Sequence, residues 1–259
     1  TGDLGALAGD VGFLSTMSYC GRLRGDWLNM SAMLSGSRFG RGLLCAGGVR
    51  FDPGTRLLKA LKTRVEETER DVTGAVRLMW DSPSAMARFA GIGTLTGDQA
   101  MEIGAVGLAA RASGLDRDVR HSHPLPTLPH PPDSKRARQG DVLARALVRY
   151  KEIPESAAMC KRLVGAFLDD MEDGQDACAR ACTPGLAPDS ISVALVEGWR
   201  GEVCHAALTG PGGEIRSYNV VDPSFHNWMG LAIAMRGQQI SDFPICNKSF
   251  NLSYCGHDL

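Results

Sequence analysis

The chain has 259 residues, of which 44% are hydrophobic, 22% charged and 6% aromatic, and its formal net charge is −1. This composition is ordinary for a globular protein. It argues against nucleic-acid binding, because phosphates attract an excess of basic side chains and bases stack on aromatic ones. No apolar run approaches the roughly 20 residues that a membrane-spanning helix needs.

The N-terminal part of the sequence predicts helices separated by glycine-rich turns. Residues 1–35 are rich in Gly, Ala, Leu and Met and predict a helix that is broken near residues 20–21. Residues 55–80 carry one apolar stripe opposite charged residues, which indicates an amphipathic helix. A further helix is expected from Thr96, which can form a capping box with Gln99, to Gly114, a favourable C-terminal residue.

The middle and C-terminal parts change in character. Residues 121–139 predict a proline-rich loop, because each proline removes an amide donor and fixes φ. Asp141 is expected to cap the next helix, and Pro154 to kink or divide it. Alternating apolar residues then predict an antiparallel meander, and a short helix over residues 225–236 closes the fold.

The predicted fold is therefore mainly α, a helical bundle with a small antiparallel β meander. We divide the chain into residues 1–183, the helical part with its proline-rich loop, and residues 184–259. The second part holds the meander, the C-terminal helix and the tail.

The cysteines and histidines give little support for a metal site. None of the eight cysteines forms a Cys-x-x-Cys pair, the usual sign of a zinc ribbon or an iron–sulfur ligand set. Cys178 and Cys182, four residues apart, are interpreted as buried structural thiols. Three histidines of the proline-rich loop allow a zinc site, although a solvated loop explains them better: His121, His123 and His130. The glycines near residue 91 lack the remainder of a dinucleotide-binding fingerprint.

Asp10 is the most informative acidic residue, because it lies among small and apolar residues. A carboxylate in such surroundings is costly unless it is paired or faces a cavity. Its pKa would then rise, which would make it a possible proton donor. An ordinary surface position on a helix remains the alternative.

Three further groups of charged residues stand out. Surface ion pairing is expected for Arg145, Arg149 and Glu152, which share one helix face, and for Arg117, Asp118 and Arg120, which follow a helix. The turn between the first two strands gathers a third group that turn formation does not explain: Glu197, Arg200, Glu202 and His205.

The end of the chain resembles a known family. Residues 222–228, 242–244 and 249–259 are similar to the C-terminus of hydrogenase-type large subunits. That family comprises the catalytic subunits of membrane-bound nickel–iron hydrogenases and the quinone-site subunit of respiratory complex I. The likeness extends to residues 110–120, to the Gly-Asp-x-x-x-Arg helix start at 140–145, to the Arg-Gly-Glu turn at 200–202 and to the Pro-Ser helix start at 223–224.

One departure argues against the hydrogenase reaction. Where a hydrogenase has its C-terminal Cys-x-x-Cys pair, this chain has Ser253 and Gly256, and Cys255 is one residue out of register. Bridging nickel and iron takes soft thiolate ligands, which a hydroxyl and a hydrogen cannot replace.

The resemblance implies an oxidoreductase subunit of a complex I-like or hydrogenase-related membrane complex, peripheral on the cytoplasmic face of the cell membrane. It would line a quinone cavity against an iron–sulfur small subunit, whose cluster delivers electrons. Other implied partners are membrane-arm subunits and an N-terminal region or companion subunit. The chain alone is expected to bind no cofactor or metal, and NAD is expected to bind elsewhere in the complex. The alternatives are a nickel–iron hydrogenase subunit and a non-catalytic assembly or coupling subunit.

The resemblance also implies roles for individual residues. Asp10 aligns with an aspartate beside the quinone cavity of complex I and is the predicted proton donor. The other predicted catalytic residues are Asp118, Arg120 and His123, and the predicted cofactor-binding residues are Arg145, Arg200 and His205.

Overall fold

The computed structural model describes residues 1–45, 48–124, 136–172 and 185–255. The helices are α1 (Gly2–Asp10), α2 (Leu14–Ser35), α3 (Thr55–Trp80), α4 (Pro83–Ala87), α5 (Gly97–Glu102), α6 (Gly107–Ala112), α7 (Val119–Ser122), α8 (Val142–Glu172), α9 (Pro223–Ala234) and α10 (Phe243–Phe250), with a 3-10 helix at Ile240–Asp242. The strands are β1 (Leu44–Cys45), β2 (Gly48–Val49), β3 (Ile191–Gly198), β4 (Gly201–Thr209) and β5 (Ile215–Val221). The predicted fold class, mainly α with a small antiparallel sheet, is confirmed.

The helix break predicted near residues 20–21 is wrong. The chain turns instead at residues 11–13, where Gly12 has a φ of 74°, and α2 runs unbroken through Cys20. The small residues here serve a close helix contact, since a Cβ added to Gly5 would lie 2.7 Å from the Cβ of Cys20. Small side chains at this position let α1 pack tightly on α2.

The amphipathic helix and the capping box are confirmed. Helix α3 buries one stripe of residues and packs against α2 and α8. Thr96 accepts a hydrogen bond from the Gln99 amide, and the Gln99 side chain accepts one from the Thr96 amide. The single helix expected up to Gly114 is wrong, because Gly104 and Gly107, at φ of 67° and 59°, separate α5 from α6.

Helix α8 is not divided by Pro154, which lies inside a continuous helix of 31 residues. Proline costs one main-chain hydrogen bond, but α8 is packed on both sides of it, through buried Ala146 and buried Ala157. Asp141 caps α8 as predicted, since its carboxylate accepts from the amide of Ala144 at 2.7 Å.

The meander is confirmed as a three-stranded antiparallel sheet in the order β3-β4-β5, with Glu197 opposite Glu202 and Cys204 opposite Val221. Helix α9 begins at Pro223, two residues before the predicted start, because Asp222 caps it. The sequence prediction missed α10, whose Pro244 at the first turn is a helix-start signal.

The largest hydrophobic core joins α1, α2, α3, α8, α9 and α10. Helix α10 packs against α1, α8 and α9, so the C-terminal residues of the described chain lie against its N-terminal helix. The boundary placed between residues 183 and 184 stays a prediction. Among the described helices, none is both long and apolar enough to cross a membrane.

Candidate functional site

Five charged residues from separate parts of the chain meet in what we call the charge cluster: Arg111 of α6, Asp118 and Arg120 at α7, Glu152 of α8 and Glu197 of β3. The Arg111 guanidinium donates to Glu197 at 2.7 Å and to Glu152 at 2.9 Å, and lies 3.7 Å from Asp118. Arg120 binds both oxygens of Asp118, at 2.8 and 2.6 Å. The two guanidinium groups therefore link three carboxylates.

Local structure sets this geometry. Helix α6 is otherwise made of buried small and apolar residues, so its Arg111 side chain points into the protein and is only 2% exposed. Asp118 caps α7 by accepting from the amide of Arg120 at 3.0 Å. The second carboxylate oxygen of Glu197 accepts from the amide of Val119 at 3.1 Å. Glu197 thus joins the sheet to both α6 and α7.

The carboxyl groups of the cluster differ in acidity. Burial raises the pKa of Glu197, and the hydrogen bond and charge of Arg111 offset this only in part. Burial also opposes ionisation of Asp118, but the hydrogen bonds of Arg120 and the charge of Arg111 outweigh it and hold the pKa of Asp118 below its usual value. The cluster has one more carboxyl group than guanidinium groups.

A second group of side chains holds the end of the chain, and we call it the tail clamp: Asp3, Arg149, Arg200, Ser224 and Trp228 around residues 249–253. The Arg149 guanidinium donates to the carbonyl of residue 249 at 2.7 Å and pairs with Asp3 at 2.7 Å. Arg200 donates to the carbonyl of residue 251 at 2.6 Å, and Trp228 to that of residue 253 at 3.2 Å.

Residues 251 and 253 also donate hydrogen bonds to members of the tail clamp. The Asn251 side chain donates to Asp3 at 2.8 Å, and Asn251 has a positive φ of 52°, which Asn tolerates better than most residues. The amide of Ser253 donates to the Ser224 hydroxyl at 2.9 Å. The path of the tail is therefore fixed from α1, α8, α9 and the β3–β4 turn together.

Arg145 lies beneath the tail clamp and is 1% exposed. Its guanidinium donates to the Ser249 hydroxyl at 2.8 Å and to the carbonyls of Gly140 and Gly93 at 2.6 and 2.9 Å, and it stacks on the Phe250 ring. Burial lowers the pKa of Arg145 to about 10, which leaves it a cation at neutral pH. Its donors are occupied by the protein, and its predicted contact with a cofactor stays a prediction.

Asp10 is the last residue of α1 and its side chain is exposed. Desolvation by the surrounding protein raises its pKa, while the positive charge of Lys248 on α10 acts in the opposite direction. The partial negative charge at the C-terminus of a helix also disfavours an ionised carboxylate there. Asp10 thus lies at the end of α1 that is near Lys248 of α10.

The predicted site residues fall into three places. Asp118 and Arg120 are both in the charge cluster, while His123 follows them, exposed, with its ring 3.0 Å from the Ser122 hydroxyl. Arg145 and Arg200 bind residues 249 and 251, while Asp10 lies near Lys248 of α10. His205 lies apart on β4, where its ring is 2.7 Å from the Tyr218 hydroxyl. His130 and the pair Cys178 and Cys182 lie outside the described residues.

The expectation of surface ion pairs is wrong for most of these charged residues. Asp118 and Arg145 are buried, and Arg149 and Glu152 bind partners from distant parts of the chain. The prediction of site residues missed Arg111, a single charged residue in an apolar helix. That pattern is itself a signal, because an arginine is buried only where it finds acceptors.

The thiols at the chain end do not fit a nickel–iron centre. Cys246 is fully buried, and burial raises the pKa of its thiol, whereas metal binding needs the thiolate. Cys255 is exposed and its sulfur lies 3.8 Å from the Ser253 hydroxyl, so this pair offers one thiolate at most. Gly256 lies outside the described residues.

Comparison with known proteins places the chain in a family. Residues 10–185 match the model of the respiratory-chain NADH dehydrogenase 49-kDa subunit family. Formate hydrogenlyase subunit 5 of Escherichia coli is 29% identical over 97% of this chain and 43% of its own length. NADH-quinone oxidoreductase subunit 4 of Thermus thermophilus is 27% identical over 90% of this chain and 62% of its own length.

A solved structure shares the fold. A chain of the membrane-bound sulfane sulfur reductase, an archaeal respiratory membrane complex, superposes with a TM-score of 0.86 at 22% identity. The match covers 99% of this chain and 70% of that one. The chain thus spans about two-fifths to three-fifths of the length of the curated relatives described above.

Proposed function

Because the chain belongs to the family of the 49-kDa subunit of respiratory-chain NADH dehydrogenase, we propose that it is an electron-transfer oxidoreductase subunit of a complex I-like membrane complex. It lines a cavity in which a quinone is reduced, against a partner subunit whose iron–sulfur cluster supplies the electrons. NADH is oxidised elsewhere in the assembled complex. The chain sits peripherally on the cytoplasmic face of the membrane, beside membrane-arm subunits.

One observation carries the proposal at the level of residues, namely the position of Asp10. Its carboxyl group is exposed at the end of α1, near Lys248 of α10, and its pKa is raised by desolvation. Reduction of a quinone consumes protons as well as electrons, so an acid that keeps its proton closer to neutral pH suits this reaction. Quinone reduction is also supported by the similarity of this chain to the Thermus relative, which is a subunit of an NADH-quinone oxidoreductase.

The replacement Asp10→Asn in the assembled complex tests the proposal. The substitution keeps the size of the side chain and removes its titration, so quinone reduction should slow by roughly 100- to 10,000-fold, the usual contribution of a general acid. The pH profile of turnover should lose one limb. Folding should change little, because the side chain is exposed.

Asp81→Asn is the matched control, since Asp81 is also an exposed carboxylate at a helix C-terminus. It should leave turnover unchanged. If Asp10→Asn leaves both the rate and its pH dependence intact in an active complex, Asp10 is an ordinary helix residue and the proton-donor role is wrong.

A second candidate function is the large subunit of a membrane-bound hydrogenase, which is favoured by the 29% identity to the formate hydrogenlyase subunit over 97% of the chain. Metal analysis of the intact complex, together with hydrogen-uptake assays, separates the two functions. Quinone reduction predicts no nickel whose binding depends on Cys255. Stoichiometric nickel that is lost in Cys255→Ser would establish the hydrogenase function instead.

A further inference from the structure

We propose that the charge cluster is a proton-binding site, in which the carboxyl group of Glu197 keeps an exchangeable proton at pH values where an exposed glutamate has lost its own. Binding adds one proton to a carboxylate and changes no oxidation state. The site involves α6, α7, α8 and β3, whereas Asp10 belongs to α1.

The first support is the balance of charge. The carboxylates of Asp118, Glu152 and Glu197 face the guanidinium groups of Arg111 and Arg120, so the fully ionised cluster has a net charge of −1. The side chains of Arg111, Asp118 and Glu197 are 2%, 1% and 4% exposed. An unpaired charge that is shielded from solvent has a high desolvation cost, and uptake of one proton neutralises that charge.

The second support distinguishes Glu197 from the other two acids. Asp118 has both oxygens on Arg120 and a hydrogen bond from a main-chain amide, which stabilises its ionised form. Glu152 is 21% exposed, so water can solvate its charge. Glu197 is almost fully buried and has a single guanidinium partner, and burial raises its pKa. The proton therefore goes to Glu197.

The groups that face Glu197 come from each element packed around it. Arg111 of α6 and the Val119 amide of α7 donate to its two oxygens. Asp118 and Arg120, at α7, form an ion pair next to Val119. Glu152 of α8 forms ion pairs with both Arg111 and Arg120. On β4, Glu202 is paired directly across the sheet and adds another acid on the same face. More acids than bases surround the site, and this favours proton uptake.

Arg120 and Glu152 form the rim of the site. They are 17% and 21% exposed and lie 3.4 Å apart, between the buried acid and solvent. A proton held on Glu197 can therefore exchange with water through this rim. Its use in turnover, as a reserve for a reaction that consumes protons, rests on the proposed function, whereas the existence of the site does not.

Infrared spectroscopy of the purified complex tests the site directly. A protonated carboxyl group has a C=O stretching band that a carboxylate lacks and that shifts in D₂O. Wild-type protein should show such a band with a component, additional to that of Asp10, whose intensity equals one carboxyl per chain and which disappears with a midpoint above the ordinary glutamate pKa. Glu197→Gln should remove it. Glu202→Gln is the matched control, since Glu202 is the cross-strand neighbour outside the cluster. It should keep the band and lower its midpoint by less than the loss of Glu152 does.

A second variant guards against misfolding of the first. Glu152→Gln leaves Glu197 in place but balances the cluster at two carboxylates and two guanidinium groups, so the midpoint of the band should move to lower pH. The proposal is overturned if Glu197→Gln folds and keeps the band, or if Glu152→Gln leaves the midpoint unchanged. If the band behaves as expected but the complex reduces no quinone, the proton site stands and the proposed function fails.

Discussion

Arg145 beneath the tail clamp and Arg111 in the charge cluster are both almost completely buried, but they bind different acceptors. Arg145 donates to two carbonyls and a hydroxyl, whereas Arg111 donates to two carboxylates and one carbonyl. Carbonyls and hydroxyls do not titrate in the physiological range, while carboxylates can. The same side chain thus builds a contact indifferent to pH in one region and a pH-sensitive one in the other.

The largest effect is expected from Arg145→Met. Three buried acceptors lose their donor, each at a cost of about 1–3 kcal/mol, so unfolding free energy should fall by roughly 4–6 kcal/mol. Urea unfolding at several pH values measures this. The loss should be the same at each pH, and a loss that varies strongly with pH would contradict the contrast with Arg111. Arg138→Met, at an exposed arginine, should have little effect.

A somewhat smaller and pH-dependent loss is expected from Arg111→Met. Removing one partner of a buried ion pair typically costs about 3–5 kcal/mol, because the remaining charge is left unpaired. The loss should shrink as the pH falls through the raised pKa of Glu197, because that carboxyl group then has no charge. Urea unfolding at neutral and acidic pH provides the measurement. Equal losses at both would show that Arg111 acts by packing alone.

Arg200→Met should act locally. It removes the hydrogen bond to the carbonyl of residue 251, worth roughly 1.5–3 kcal/mol for a charged donor. Hydrogen exchange of a peptide covering residues 251–255 should quicken while the global unfolding free energy changes less. Arg216→Met, at an exposed position on β5, is the control. Unchanged exchange in Arg200→Met would mean that the remaining members of the clamp suffice.

The smallest effect is expected from Glu197→Gln, which should change the slope of unfolding free energy against pH. Because burial raises the pKa of Glu197 in the folded protein, its contribution to stability is present below the unfolded-state pKa and is lost as pH rises through the folded-state pKa. The variant should lack this decline. Comparing the pH dependence of unfolding free energy in both proteins measures it, and identical slopes would argue against a proton on Glu197.

Local sequence patterns predicted some elements of the fold correctly and others wrongly. Local signals were sufficient to predict α3 from its apolar stripe, the capping box at Thr96 and the antiparallel meander. The helix break predicted at residues 20–21 is wrong, because the small residues there allow α1 to pack closely against α2. At Pro154 local signals predict a kink or a division of α8, and the division is wrong because packing of α8 on α3 outweighs one lost hydrogen bond.

The candidate sites were harder to predict than the elements. The charge cluster is assembled from residues up to 86 positions apart, as in the bond from Arg111 to Glu197. No spacing rule connects such positions, since only tertiary packing brings α6 against β3. Asp118 and Arg120 were recognised through their likeness to a family motif, but their partners Glu152 and Glu197 were not assigned to the site.

The tail clamp holds the main chain by its carbonyl groups, which every amino acid possesses. At position 253, Trp228 binds the carbonyl and the Ser224 hydroxyl accepts from the amide, and neither bond depends on the side chain of that residue. Position 253 is therefore open to exchange between serine and cysteine without loss of the path of the chain. In evolutionary terms, a scaffold of this kind can gain or lose a metal ligand by a single codon change while the architecture around it is preserved.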